Sequence, residues 1–454
     1  MKVINPATEE VIAELEADTR QSINSKYGVL REGQRIWATV SVAERLVIIS
    51  KFYDLLEDHK EKLAITLTSE TGKPLQQSYN ELNGARQRIL YFINNTAPYL
   101  AEEWITTDGP TREKIVYEPL GVIANISAWN YPYLVGVNVI IPALLGGNGV
   151  LYKPSEYATL TGMHIRDLLY EAGLPPACFQ TAIGGGGVGE LLLNLSLNGY
   201  FFTGSYTTGK HIAEKIAYKM VPCQLELGGK DPLYVMEDVV DIDKTAAAAL
   251  EGVVYNNGQS CCAVERIYVH HGVYDAFVTS FVSQCKALVL GNPLNKQSDM
   301  GPLSRKEQQA FLAAQVIDAQ GKGAKLLCGG KIPEGKGYYF EPTVLVDVNH
   351  TMQVMTEESF GPIIGIQKVA DDAEAVQLMQ DTPYGLTAAI YSANFDRAEA
   401  VMAQLQTGTV YWNCCDRVSA ALPWSGRKQS GMGTTLSYQG IRAFVQPKAY
   451  HIRG

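Results

Sequence analysis

Between Gly121 and Gly229, short apolar runs alternate with longer stretches whose apolar residues recur at helical spacing. Strands are expected at 122–126, 149–152, 179–183, 200–202 and 224–227, and helices at 132–145, 160–172, 188–195 and 207–219. That alternation predicts a parallel sheet with helices on both faces. After Gly228-Gly229 the pattern restarts, with strands at 233–236 and 267–270 and helices at 241–255 and 274–288, so a second α/β unit is expected to begin near residue 229. Residues 43–99 read as mostly helical, with Leu46, Ile49, Phe52, Leu55 and Leu56 on an apolar face. The most apolar stretch, 135–145, lies between Pro132 and Gly146-Gly147 and falls short of the roughly 20 residues a spanning helix needs. It reads as a buried helix, and no membrane association is expected.

Composition narrows the class of protein. A chain of 454 residues with 46% hydrophobic and 19% charged residues has the profile of a folded protein with two or three cores. A net charge of −9 argues against a nucleic-acid partner or an anionic membrane surface. The start, Met1-Lys2-Val3-Ile4-Asn5-Pro6, offers no apolar export segment, so a cytoplasmic location is expected. Cysteines stand at 178, 223, 261, 262, 285, 328, 414 and 415, with no CxxC and no clustering with the histidines. Reduced thiols without a metal site are therefore expected.

Three stretches carry candidate chemistry. Asn257-Gly258-Gln259-Ser260-Cys261-Cys262-Ala263 puts a thiol in a polar, glycine-containing turn, although most lone intracellular thiols are inert apolar residues. Leu225-Glu226-Leu227-Gly228-Gly229-Lys230 sets a carboxylate among apolar neighbours, which would raise its pKa toward that of a general base; an edge glutamate paired with Lys230 is the competing reading. Ile126-Ser127-Ala128-Trp129-Asn130-Tyr131-Pro132 places an amide between a strand end and a helix start, where it can donate to an oxyanion or merely cap the helix.

In this order, these stretches resemble the aldehyde dehydrogenase superfamily. The likeness continues through Lys153-Pro154-Ser155-Glu156, Phe202-Thr203-Gly204-Ser205 with Gly209, Glu357-Glu358-Ser359-Phe360-Gly361-Pro362, Asn413-Cys414-Cys415-Asp416 and Leu422-Pro423-Trp424-Ser425-Gly426. The resemblance implies the α/β aldehyde dehydrogenase fold. Its Rossmann-like cofactor domain would span 1–102 and 119–228, a catalytic domain 229–432, and a small β oligomerisation extension 103–118 and 433–454. It implies a homodimer or homotetramer through protruding strands at 103–118 and 438–452. It makes Cys261 the nucleophile toward a small aldehyde, Asn130 the oxyanion donor, and Glu226 the base that activates water against a thioester. It assigns Lys153 and Glu156 to the adenine ribose, Trp129 and Ser205 to the pyrophosphate, Glu358 to the nicotinamide ribose with Phe360 packed nearby, and Ser155 and Gly204 to the cofactor site. Glu156 would repel a 2′-phosphate, so NAD is expected over NADP.

The departures are specific. Gly184, Gly186 and Gly189 satisfy G-x-G-x-x-G, but no acidic residue follows at about 20 positions, so the triple is not read as a phosphate grip. Many relatives carry a lysine at the place of Val139 and a Gly-Arg-Glu run at Gly433-Thr434-Thr435; their joint absence leaves Glu226 without a secondary proton relay. By resemblance, Tyr131, Tyr255 and Trp424 line the substrate passage. Arg417 either anchors a distal carboxylate, as in succinate semialdehyde, or pairs with Asp416 at the surface. A CoA-acylating enzyme, which typically lacks a base at Glu226, and an inactive structural relative are the alternatives.

Overall fold

The computed structural model describes residues 1–454. It opens with an antiparallel hairpin, β1 (Lys2–Ile4) and β2 (Val11–Glu14), followed by helix α1 (Arg20–Trp37). The pattern does not predict α1, because its buried apolar stripe is thin: Ile23, Leu30 and Trp37. Local hydrogen bonding starts it instead. The Thr19 hydroxyl accepts from Ser22 N at 3.2 Å, and the Ser22 hydroxyl accepts from Thr19 N at 2.9 Å. The helical expectation for 43–99 resolves into α2 (Val42–Asp58), α3 (Lys60–Thr71) and α4 (Leu75–Tyr99), with Ile49, Phe52 and Leu56 wholly buried. Strands β3 (Glu103–Thr106) and β4 (Thr111–Pro119) lead into the first large sheet.

The alternating stretch folds as β5 (Val122–Ile126), α5 (Pro132–Leu145), β6 (Gly149–Lys153), α6 (Thr159–Glu171), β7 (Phe179–Thr181), α7 (Gly186–Leu193), β8 (Gly199–Thr203), α8 (Tyr206–Ile216) and β9 (Cys223–Glu226). The largest shifts from expectation are that the third strand stops at Thr181, α7 starts and stops two residues early, and α8 gives way at Ile216 to a 3₁₀ turn. The second unit comprises β10 (Pro232–Val235), α9 (Ile242–Val254), β11 (Arg266–His270), α10 (Tyr274–Ala287), α11 (Lys306–Gly321), β12 (Lys325–Cys328), β13 (Thr343–Val346), α12 (Gln353–Thr356), β14 (Ile363–Val369), α13 (Asp372–Gln380), β15 (Thr387–Tyr391), α14 (Phe395–Met402) and β16 (Thr409–Trp412). The chain ends with β17 (Gly431–Met432), α15 (Ser437–Arg442) and β18 (Val445–Arg453).

The first sheet has the order β17-β9-β8-β5-β6-β7 and is parallel except for β17. Strand order reverses between β5 and β8, and a sheet of this kind opens a crevice at the carboxyl ends of the strands flanking such a switch. The second sheet, β12-β13-β14-β11-β10-β15-β16, is parallel except for β12. Its strand starts face that crevice, since Glu226 ends β9 and the chain enters β10 within a few residues. A third sheet, β18-β4-β3, is antiparallel, with β18 and β4 in register from Val445↔Pro119 to Arg453↔Thr111. Strands thus lie in the segments expected to protrude, but the first residues of 438–452 form α15, where Gly440 packs against Thr435.

Candidate active site

Helix α9 stops because Asn256, Asn257 and Gly258 adopt left-handed φ of 53°, 58° and 74°. Gly258 is forced: a Cβ would lie 2.3 Å from the Gly361 carbonyl carbon. The strain is held by hydrogen bonds from buried amides. Asn257 Nδ2 donates to Gly72 O at 3.1 Å and Pro302 O at 2.9 Å, and Asn256 Nδ2 to Asn130 O at 3.0 Å and Gln259 O at 2.9 Å. The turn delivers Cys261, partly open, to the crevice, while Cys262 is buried. Cys262 Sγ donates to Asp416 Oδ1 at 2.8 Å. The Cys261 sulfur, burial and the Asp416 charge push the Cys262 pKa well above the usual thiol range. Of the adjacent pair, Cys262 therefore stays a thiol.

Glu226 ends β9 and faces the same crevice as Cys261. Burial raises its pKa to about 7, against the opposing influence of the Thr435 hydroxyl, the Arg88 charge and Gln224. Thr435 Oγ1 and Gln224 Nε2 (3.4 Å) both donate to Oε1, and the Trp424 side chain also donates to the carboxylate. The competing reading of an edge glutamate bound to Lys230 does not hold, because Lys230 Nζ is bonded to Glu265 Oε2 at 2.6 Å.

Asn130 does not cap α5, whose first turn has no side-chain cap. Its Nδ2 donates to Gln259 O at 3.2 Å, which places the amide against the cysteine turn with one proton to spare. Its backbone carbonyl accepts from Lys73 Nζ at 2.7 Å. Lys73 forms a fully buried ion pair with Glu81, and Glu81 Oε1 accepts from Tyr133 N at 2.8 Å, at the start of α5. Lys73, Glu81, Asn256 and Thr435 escape a reading of the sequence, although Gly72-Lys73-Pro74 at a helix break was a signal available at Lys73.

The crevice at the β5/β8 switch is a cleft of about 560 Å³, within the range of small-molecule and cofactor sites. Trp129, Lys153, Ser155, Glu156, Gly204, Ser205, Glu358 and Phe360 all line it. Ser205 caps α8, its Oγ accepting from Thr208 N at 3.4 Å, so the positive end of that helix opens on the cleft beside Gly204. Gly186 and Gly189 also line it, on the first turn of α7, and a Cβ on Gly186 would meet nothing within 4 Å. Lys153 Nζ lies 3.7 Å from Glu156 Oε2. Glu358 Oε1 accepts from Gly229 N at 3.1 Å, and burial pushes its pKa to about 8. A Cβ at Gly228 would fall 2.2 Å from that carboxylate, so only glycine lets the two segments meet. The Glu358 loop is pinned by Glu265, which accepts from Ser359 N at 3.0 Å and Phe360 N at 2.9 Å. The Phe360 ring stands edge-on to Trp129 at 5.5 Å. The cleft therefore combines a helix N-terminus, a lysine–carboxylate pair and an aromatic wall, which suits an elongated phosphate-bearing ligand ending near Cys261.

The residues assigned to the substrate passage separate. The Tyr131 ring is packed under Lys73 Nζ at 4.2 Å, and Trp424 is buried and exchanges backbone hydrogen bonds with Thr435. Tyr255 accepts from Asn80 Nδ2 at 3.2 Å and lines a recess of about 110 Å³ with Glu251, Asp416 and Arg417. Arg417 is exposed at the rim, 3.6 Å from Glu251 Oε1. Its expected surface partner, Asp416, instead holds the Cys262 thiol.

A doubly wound α/β chain with an open thiol, an oxyanion-type amide and a buried carboxylate meeting in one cleft defines an enzyme of the oxidoreductase type. The chain belongs to the aldehyde dehydrogenase family, whose model matches residues 1–450. It is 34% identical to a betaine aldehyde dehydrogenase of Cereibacter sphaeroides, over 99% of this chain and 93% of the relative. Among solved structures, a betaine aldehyde dehydrogenase from Staphylococcus aureus in complex with NAD+ superposes with a TM-score of 0.96 at 31% identity, over 100% of this chain and 92% of that one. An NADP-dependent enzyme from E. coli does so with a TM-score of 0.97 at 30% identity, over 100% and 94%.

Proposed function

We propose that the protein oxidises a small aldehyde to the carboxylic acid with NAD as the hydride acceptor. The observation that carries this reading is the meeting of Cys261, Asn130 and Glu226 in one cleft, with Glu226 at about 7. The Cys261 thiolate adds to the carbonyl carbon. The Asn130 amide proton not given to Gln259, together with the Cys261 backbone N–H, receives the oxyanion; one such donor is worth roughly 10²–10³ in rate. Nicotinamide, when bound, supplies the hydride acceptor. Collapse of the adduct leaves a thioester on Cys261. The Glu226 carboxylate takes a proton from water, the resulting hydroxide adds to the thioester carbon and displaces the Cys261 thiolate, and the acid leaves.

The cleft fits the dinucleotide, with Lys153 and Glu156 at the adenine ribose, the α8 start at the pyrophosphate and Glu358 at the second ribose. Glu156 lines the cleft, and its negative charge supports NAD over NADP. The three-stranded sheet supports pairing with a second copy through its free edges, β3 and β18. The reading is tested by following NADH absorbance with a panel of aldehydes, with and without CoA. Acid formation independent of CoA is expected, whereas strictly CoA-dependent turnover or none overturns it.

A further inference from the structure

To bind one oxyanion, the Asn130 amide and the Cys261 N–H must converge, yet they belong to the loop before α5 and the turn after α9. Asn256 joins the two. Its Nδ2 donates both protons across the join, to Asn130 O at 3.0 Å and to Gln259 O at 2.9 Å, and Asn130 Nδ2 donates to that same Gln259 carbonyl at 3.2 Å. The three bonds close a ring in which the oxyanion amide and the cysteine turn share one acceptor. Asn256 is itself fixed, since its backbone N–H donates to Gln77 Oε1, on α4, at 2.8 Å. The Gln259 side chain anchors the other side, accepting from Ser304 N at 2.9 Å and donating to Asn256 O at 3.3 Å.

Packing alone does not account for an asparagine here. Its φ of 53° lies in the left-handed region, and its side chain is buried with Oδ1 sealed and unpartnered. Both features cost stability, and such costs collect where the geometry of a site depends on them. The side-chain amide is suited to the bridge because it carries two donor protons on a short stem, whereas an ionised aspartate has none and a serine hydroxyl has one. Lys73 also holds the Asn130 carbonyl, but its other hydrogen bond goes to Glu81, so it does not reach the cysteine turn. We infer that Asn256 is a positioning residue, which sets the Asn130 amide against Cys261 and so acts on carbonyl addition from outside the cleft. This rests on the proposed aldehyde oxidation and adds a residue to its machinery.

Asn256→Gly removes the bridge and tolerates the left-handed φ, while Asn256→Ser leaves a single donor. Rapid mixing with NAD and an aldehyde that the wild type oxidises measures the first burst of NADH. Labelling of Cys261 by iodoacetamide, read by peptide mass spectrometry, measures the thiol in a reaction that forms no oxyanion. Asn256→Gly should slow the burst roughly a hundredfold, with Asn256→Ser between it and the wild type. Alkylation of Cys261 should stay within about threefold of the wild type, since the nucleophile itself is untouched. In an Asn130→Ala background, Asn256→Gly should slow the burst by no more than about threefold further, because the amide it places is gone. Should Asn256→Gly fail to fold, Asn256→Ser and the same cycle built on it decide. An unchanged burst, an equal fall in burst and alkylation, or full additivity with Asn130→Ala would each overturn the inference and leave the proposed function standing. Failure of the wild type to oxidise any aldehyde would overturn the proposed function and the inference with it.

Discussion

Thr435 donates its hydroxyl to Glu226 Oε1 across 209 residues of chain. A neutral donor at this place has the opposite electrostatic effect from a second carboxylate. A second carboxylate would raise the Glu226 pKa through like-charge repulsion, whereas a hydroxyl donor stabilises the ionised form. Thr435→Val should therefore move the acid limb of the rate profile to higher pH, by up to about one unit. Steady-state turnover between pH 5 and 9 measures it, and an unmoved limb would show that the bond does not act on the base.

Glu226 itself sets the limb. A base must be ionised to accept a proton, so with its pKa raised to about 7 by burial, deacylation should climb as pH rises through 7 and level above it. Glu226→Gln should lose roughly 10²–10⁴ in steady-state rate and lose the limb. Its first turnover should remain visible as a burst of NADH. An unchanged steady-state rate would return the deacylating role to water alone.

Much of this site was legible in the chain, and the limits have a physical cause. Cys261, Asn130 and Glu226 each sit in a turn or strand end with its own local signature. Thr435 has none, because it acts on a group brought to it only by the packing of β17 on β9. Arg417, which the sequence left open between anchoring a distal carboxylate and pairing with Asp416 at the surface, lies exposed beside Glu251. The same holds for the fold: the strongly apolar alternation of β5 to β9 declared itself, whereas α1 depends on a capping box and a few buried residues.

The Lys73–Glu81 pair lies directly behind Asn130 and the start of α5. Removing either partner strands a charge in the interior, so Lys73→Met should cost about 3–5 kcal/mol of stability. Lys73→Met combined with Glu81→Leu should cost less than the sum of the single changes. Denaturant unfolding of the three variants checks this, and simple additivity would show that the pair is not coupled.

Glu156 lies in the cleft 3.7 Å from Lys153, with about a third of its side chain exposed (38%). Glu156→Gln keeps its shape and removes the charge that would face a 2′-phosphate. The ratio of kcat/KM for NADP to that for NAD should rise roughly tenfold. A constant ratio would move cofactor selection elsewhere in the cleft.

Asp231, just before β10, is a buried carboxyl, with Oδ2 accepting from Thr387 N at 3.0 Å and Thr387 Oγ1 at 2.6 Å. Burial raises its pKa to about 8 despite those two donors, far above the roughly 3.9 of an exposed aspartate. A carboxyl whose folded pKa exceeds its unfolded value holds its proton more tightly when folded. Its contribution is fully present below about pH 4 and is lost as pH rises through 8. Asp231→Asn can keep both accepted bonds through Oδ1 and does not titrate, so it should gain in Tm relative to the wild type as pH is raised from 5 to 9. A Tm difference that stays flat over that range would mean that Asp231 is already ionised in the folded protein, with the two Thr387 donors outweighing burial.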